Sequence, residues 1–452
     1  MQFDEALRYL LGLGHETLAL KLGLRTTELL LRSIGDPQTF YPSVQIAGTN
    51  GKGSTAVVLE SICRAAGIKT GLFTSPHLIS ITERIRIDGR DISQVAFARL
   101  ATRVREGAEL PVSTGELEAS PTFFEQMTAI ALLAFRQAGV HLAILETGLG
   151  GRLDSTTVAR AETVAITPIA LDHQEYLGET LAEIAAEKAA IIRPRVTAII
   201  GPQSQAALDV IRRRCESVNI IPRLTECDAK ILGLTGDGRL RATFETSADS
   251  YREVTPGLRG RHQVTNISLA IQLAESLRER GFEIPHAAII QGIEQAEHPG
   301  RLELWEGPPR LLFDGAHNPA GVSVLGEYLD EFVREPITLV FGAMRDKNLG
   351  EMASLLFPRA HRLILTQPDN PRAAGVELLR HYAADIIESQ KITLETSAGS
   401  AIRLALDQTP ADEIICVTGS LYLIGEIQAA ISHSQDKEQA KLQASEVNQV
   451  AK

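Results

Sequence analysis

From Ser43 onward, short β-branched apolar runs alternate with longer stretches whose apolar residues recur at helical spacing, the pattern of a parallel sheet with crossover helices. The predicted strands are SVQIA (43–47), KTGLF (69–73), HLAILE (141–146), TVAIT (163–167) and VTAII (196–200). Between them STAVVLESICRAA, TFFEQMTAIALLAFRQAG and TLAEIAAEKAAII predict helices. Over 228–256 a Gly-Asp-Gly turn separates two alternating runs and predicts a small antiparallel appendage. The helical pattern HQVTNISLAIQLAESLRERG follows, and then Pro299, Pro308, Pro309 and three glycines crowd around a short strand and mark a domain boundary. Beyond it RLLFD, ITLVF, HRLILT and EIICV resume the alternation. The expected architecture is α/β, with a mainly parallel sheet and its appendage over 1–298, a smaller α/β domain over 299–433 and a flexible tail over 434–452.

Composition narrows the class. The 452 residues are 44% hydrophobic and 22% charged, as in an ordinary soluble globular protein, and no apolar run reaches the roughly 18 residues of a membrane span. The first 24 residues lack a basic n-region and a cleavage site and read as helix rather than leader. Cys63, Cys215, Cys227 and Cys416 are widely spaced and read as reduced thiols of a cytoplasmic protein. A net charge of −11 argues against a nucleic-acid partner, which needs a basic face. An anionic small molecule would need a local cluster of arginine and lysine.

Candidate chemistry begins at IAGTNGKGST (46–55). It departs from the usual phosphate-loop spelling, because Gly48 stands only three positions before Gly51 and Gly53 separates Lys52 from Ser54. Strand, glycine loop and helix nevertheless supply the right context: glycines let backbone amides turn inward, the helix N-terminus adds partial positive charge, and Lys52 adds a full one. Gly53 is expected to act as an extra backbone pivot. The alternative is a tight turn with an exposed lysine. The third strand ends in ILETGLGGRLDST, placing Glu146 at a strand tip where an acidic residue can hold Mg2+ against phosphates. Its glycines do not spell a dinucleotide fingerprint. Asp172 and His173 end the next strand; the histidine reads either as a structural residue or as a metal ligand. Lys188, in a helix with Ala and Ile faces, reads by itself as a snorkelling lysine with its head in water. Past the boundary come Arg301, Asp314, His317 and Asn318, then Gly419 and Ser420 at another strand end, the last equally readable as a cap.

Together AGTNGKGST, TSPHL with ERIRI, ETGLGGRLDST, DHQEYLG, EKAAIIRP, HPGRLE, FDGAHNP, FGAMRDKN, NPRA and TGSLYL resemble, in order, the folylpolyglutamate synthase and dihydrofolate synthase family, a branch of the ATP-dependent Mur-type amide ligases. The resemblance runs from about Leu20 to Gly425. It implies a phosphate-loop ATP-binding domain followed by a Rossmann-like glutamate-ligase domain, with the active site in the cleft between them. It also implies the chemistry: ATP phosphorylates the carboxylate of a pteroate or folyl substrate, and the amine of L-glutamate displaces the phosphate. Carried across, Asn50, Gly51, Lys52, Gly53, Ser54, Asn266, Arg301 and Asp314 would bind ATP, and Ser75, Glu146 and His173 would ligate the metal. Thr122, Leu153, Asp154 and Ser155 would hold the pterin; Arg84, His317 and Ser420 would hold glutamate. Lys52, Lys188 and His317 would serve catalysis, with Lys188 as a carbamate, which displaces the snorkelling reading.

The implied cofactors are ATP and Mg2+, with K+ as an optional second ion, and the implied partners are dihydropteroate or a reduced folate and L-glutamate. No nucleic-acid or membrane partner is expected, and the implied form is a cytoplasmic monomer. Three positions depart from the family: Gln45 stands where histidine is common, Thr157 where asparagine is usual, and Lys21 where an acidic residue is common near the pterin. The alternatives are a synthase limited to polyglutamylation, a peptidoglycan ligase of the Mur type, a phosphate-loop kinase, and a nucleotide sensor without turnover.

Overall fold

The computed structural model describes residues 1–14, 23–225 and 228–432. The expected tail, Lys21 and Cys227 lie outside these residues. The chain forms two compact units, one of residues Met1–Pro76 with Thr82–His298, the other of His77–Ile81 with Pro299 onward.

The first unit is built on β1 (Ser43–Ala47), β2 (Thr70–Phe73), β3 (Ile85–Ile87), β4 (Arg90–Asp91), β5 (Leu142–Glu146), β6 (Thr163–Ile166), β7 (Thr197–Ile200) and β8 (Arg223–Leu224), in the order β4-β3-β2-β5-β1-β6-β7-β8. From β2 to β8 all neighbours are parallel, whereas β3 and β4 add antiparallel. The five predicted strands are present, β1 with its expected bounds and the other four one residue shorter. The two-to-three-residue strands β3, β4 and β8, at or next to the sheet edges, are too short and too rich in arginine to show a period. Every residue of β1, β5 and β6 is buried, because helices cover both faces of a parallel sheet and leave no polar alternation. Ala165 and Ile199 point into one core with the helices Lys52–Ala65 and Gln263–Glu279; their neighbours Val164, Ile166, Ala198 and Ile200 point into another with the helices Leu181–Ala189 and Gln205–Ser217. The appendage is a three-stranded antiparallel sheet, β11-β10-β9, from β9 (Asp228–Leu234), β10 (Leu240–Glu245) and β11 (Ser250–Val254). Phe244 and Tyr251 anchor it to the first core.

The second unit holds β12 (Glu303–Trp305), β13 (Arg310–Asp314), β14 (Ile337–Phe341), β15 (Arg362–Leu365), β16 (Ile392–Leu394) and β17 (Ile414–Thr418), ordered β12-β13-β17-β14-β15-β16. Only β12 runs antiparallel. The helices Pro319–Phe332, Leu349–Leu356 and Val376–Ala383 fill one core; Ala398–Gln408 and a helix over 421–432 fill the other. Leu78 packs inside this unit, where a Cβ on Gly425 would stand 1.9 Å from its carbonyl oxygen. The edge strand β12 is the short strand expected at the domain boundary, whereas β16, half-buried and also three residues long, was not expected from the sequence.

Candidate active site

Strands β2, β5, β1 and β6 are neighbours and parallel, so the loops at 74–76, 147–151, 48–51 and 167–173 lie side by side at their carboxyl ends, the edge where open α/β sheets hold ligands. Two of these loops are laced together. The amides of Thr49 and Asn50 donate to the Pro168 carbonyl at 3.1 and 3.3 Å, and Thr49 Oγ1 exchanges bonds of 3.1 Å with the Ala170 amide and carbonyl. Lys52 Nζ folds back onto the Thr49 carbonyl at 3.0 Å.

Gly51 caps the helix Lys52–Ala65 at φ 89°, a left-handed conformation that glycine adopts without strain. A Cβ there would also stand 2.1 Å from Asn266 Oδ1, so the predicted nucleotide residue Asn266 lies directly against the loop. Gly53 corrects the expectation of a pivot. It lies within the helix and outside the positive-φ glycines; what it lacks is room, since a Cβ would stand 2.9 Å from His298 Cε1 and 3.3 Å from Glu146 Oε2.

Glu146, buried at the tip of β5, accepts the Ser75 amide at 3.1 Å, which brings two of the predicted metal ligands together. His173 has a left-handed backbone at φ 51°; its amide donates to Asp172 Oδ1 at 2.9 Å and its Nε2 is 3.9 Å from Asp172 Oδ2. Among the described residues no three His, Cys, Asp or Glu side chains form a metal cage by themselves. A glutamate with a serine beside a phosphate loop fits a hard divalent ion shared with a nucleotide, since such ions take one or two carboxylates and fill the remaining positions with phosphate oxygens and water.

Lys188 is buried, which overturns the reading that its head reaches water. Its Nζ donates to the Gly48 carbonyl at 2.8 Å, tying the helix Leu181–Ala189 to the glycine loop. Burial first, then the positive charge of Lys52, drops its pKa to about 7, against the weaker pull of Asp172 and Asp154.

The predicted pterin residues meet around the start of the helix Phe123–Ala138. Thr122 caps that helix, donating to Glu125 Oε2 at 2.8 Å and accepting the Glu125 amide, a capping box. Ser155 Oγ shares a 2.6 Å bond with Thr128 Oγ1 of the same helix. Asp154 is buried and accepts from the amides of Leu149 and Thr156 at 2.9 Å and from Thr156 Oγ1, so it pins its own loop. Burial pushes its carboxyl above the ordinary value, opposed by those bonds. Leu153 is half-buried beside it. Arg84, expected to serve glutamate, is almost fully buried with its guanidinium 5.4 Å from the Phe123 ring centre.

In the second unit Asp314 accepts the amides of Leu302 and Ala316 at 3.0 Å, and burial raises its pKa against the positive charge of Arg301. The Arg301 guanidinium lies over Gly315, where a Cβ would stand 2.8 Å from Nη1. His317 Nδ1 lies 2.8 Å from the Gly315 carbonyl; a carbonyl only accepts, so Nδ1 carries a proton. Ser420 Oγ accepts the Tyr422 amide at 3.2 Å, and the Gly419 amide donates to the Ala316 carbonyl at 3.1 Å. Arg301, Asp314, His317 and Ser420 are thus gathered at the carboxyl ends of the adjacent strands β13 and β17.

Two residues of the first site were not singled out from sequence, Gln263 and His298. Ser54 Oγ lies 3.1 Å from His298 Nδ1 and 3.4 Å from Gln263 Nε2, and Asn266 Nδ2 donates to Gln263 Oε1 at 2.8 Å. The only signal for His298 is its place in HPGRLE, three residues before Arg301.

The Mur ligase middle domain model matches residues 46–274, and the Mur ligase glutamate ligase domain model matches residues 300–421. A dihydrofolate synthase/folylpolyglutamate synthase of Bacillus subtilis is 35% identical, over 92% of this chain and 96% of its own. A probable bifunctional folylpolyglutamate synthase/dihydropteroate synthase of Halobacterium salinarum is 34% identical over 94% of this chain, which spans only about half, 51%, of that relative's length. Among solved structures, a Mycobacterium tuberculosis folylpolyglutamate synthase complexed with ADP superposes with a TM-score of 0.87 at 29% identity, covering 94% of this chain and 97% of that one. E. coli FolC in complex with DHPP and ADP gives 0.84 at 28%, covering 96% and 99%. A Yersinia pestis folylpolyglutamate synthase/dihydrofolate synthase complexed with AMPPNP and Mn ion gives 0.81 at 27%, covering 96% and 98%. The chain belongs to the Mur ligase family, in its folylpolyglutamate synthase/dihydrofolate synthase branch.

Proposed function

We propose that this chain is an ATP- and Mg2+-dependent ligase that joins L-glutamate to dihydropteroate and, in further rounds, to reduced folates. The observation that carries the proposal is the convergence at one sheet edge of a glycine loop opening a helix, Lys52, the Ser75–Glu146 pair and the buried Lys188 on the Gly48 carbonyl. The relatives' names and the ADP, DHPP and Mn ion in related structures support it.

A carboxylate is a poor acyl donor, because its leaving group would be an oxide. Transfer of the ATP γ-phosphoryl to a carboxylate oxygen makes an acyl phosphate and ADP; the glutamate amine then attacks the acyl carbon, the C–O bond to phosphate breaks, and the amine loses a proton. Lys52 and the first turn of the helix Lys52–Ala65 would neutralise charge on the phosphates, and Asn266, Arg301 and Asp314 would bind the nucleotide. Ser75, Glu146 and His173 would hold the metal, which supplies Lewis-acid stabilisation of phosphoryl oxygens when bound. Lys188, with a pKa near 7, has a large neutral amine fraction, the form that adds CO2 to become an anionic carbamate. Thr122, Leu153, Asp154 and Ser155 would line the pterin position. Arg84, Ser420 and His317 would hold glutamate, with His317 Nε2 accepting the amine proton.

The test is a paired assay read by mass. Protein given dihydropteroate, ATP, Mg2+ and L-glutamate should form dihydrofolate, and given tetrahydrofolate in place of dihydropteroate should extend it. Extension without dihydrofolate formation would leave a synthase confined to polyglutamylation. ATP consumption without glutamate and a stable phosphorylated product would make it a kinase, and ATP binding with no turnover a sensor.

A further inference from the structure

Four side chains from three segments form a hydrogen-bonded row along the glycine loop. Asn266 covers Gly51; its Nδ2 donates to Gln263 Oε1, which turns the Gln263 Nε2 toward Ser54 Oγ; Ser54 Oγ in turn meets His298 Nδ1 at 3.1 Å. A serine hydroxyl has one proton. When that proton points to His298 Nδ1, the neutral ring carries its own proton on Nε2. A doubly protonated ring would carry one there too. In either state Nε2 is a donor, and the Cε1–Nε2 edge of the ring lies over Gly53, within 2.9 and 3.3 Å of the place a Cβ would occupy. Gly53 belongs to the first turn of the helix Lys52–Ala65, where backbone amides and the helix dipole favour an anion.

We propose that His298 is a nucleotide-binding residue: Nδ1 holds the Ser54 hydroxyl, and Nε2–H is directed at a phosphate oxygen of the nucleotide seated on this turn. The assignment rests on the ATP-dependent reading of the site. It gives two roles to one ring, so two variants separate them. Asparagine can imitate the Nδ1 acceptor and glutamine the Nε2 donor, because their amide groups end near those two ring atoms.

The experiment measures ADP affinity by calorimetry and steady-state constants for wild type, His298→Ala, His298→Gln and His298→Asn. His298→Ala is expected to weaken ADP and raise the KM for ATP about tenfold, the worth of one hydrogen bond to a charged group, with the KM values for the pterin acid and glutamate within twofold of wild type. His298→Gln should recover most of the loss and His298→Asn little. Recovery by asparagine but not glutamine would restrict the ring to holding Ser54 and overturn the phosphate contact. Unchanged ADP affinity in His298→Ala, or an equal loss for all three substrates with a lowered melting temperature, would overturn the proposal and leave the ligase reading intact. Wild-type protein that binds no adenine nucleotide would sink both.

Discussion

Gln45 Nε2 donates to Thr157 Oγ1 across 2.8 Å, joining two buried positions at which the sequence resemblance led to an expectation of histidine and asparagine. Gln45 is fully buried, and the same amide nitrogen lies 3.0 Å from Thr156 Oγ1; Thr157 passes its own proton to the Gly151 carbonyl at 2.8 Å. The two side chains therefore form one hydrogen-bonded unit behind the Gly148–Thr157 loop. Gln45→His and Thr157→Asn should each cost about 1–2 kcal/mol in urea denaturation, and the double variant should cost at least about 0.5 kcal/mol less than their sum. Strict additivity would show that the contact carries no coupling.

Lys188 makes stability depend on pH. Its folded pKa of about 7 lies below the ordinary value of 10.5, so between these limits the unfolded chain binds more protons than the folded one. The lysine's contribution is full above the ordinary value and is lost as pH falls toward 7, with a slope of up to about 1.4 kcal/mol per pH unit. Lys188→Met should remove that slope in CO2-free denaturation series run from pH 7 to 10. Identical slopes in the two proteins would place a charged amine in the folded state.

The same variant position tests the carbamate. Lys188→Ala should lose most ligase activity, at least about a hundredfold, and added formate or acetate should restore part of it. Full activity without any added acid would exclude a carbamate role.

Gly51 and Gly53 should respond differently to alanine. Gly51→Ala meets both a left-handed φ and Asn266 Oδ1, and should lower stability by about 1–3 kcal/mol and weaken ADP strongly. Gly53→Ala gains roughly 1 kcal/mol of helix propensity while crowding His298 and Glu146, so its melting temperature should stay near wild type while ADP affinity falls. Equal melting losses in the two variants would return Gly53 to the role of a backbone pivot.

His317→Ala should raise the KM for glutamate about tenfold or more with little change in the KM for ATP, measured on the purified protein. A selective effect on ATP would move His317 to the nucleotide.

The apolar runs by themselves were enough for the central strands, the appendage and the strand-loop-helix context of the glycine loop, because a doubly covered parallel sheet leaves continuous buried runs and needs a turn after each one. Short edge strands such as β4 and β16 escaped, since two or three residues cannot show a period. The local sequence also marked Lys52 in the glycine loop, and Glu146 and Asp314 at strand tips, as candidate chemistry. It could not say that Lys188 is buried against the Gly48 carbonyl, that Gly53 is needed for room rather than rotation, or that His298, about 240 residues from Ser54, shares a hydrogen bond with it. Those facts depend on which strands lie side by side and how far each helix is pressed against the loop. Pattern in a chain reports which faces must be buried; which buried groups then touch, and so which pKa values and tautomers result, is decided by packing between segments remote in sequence.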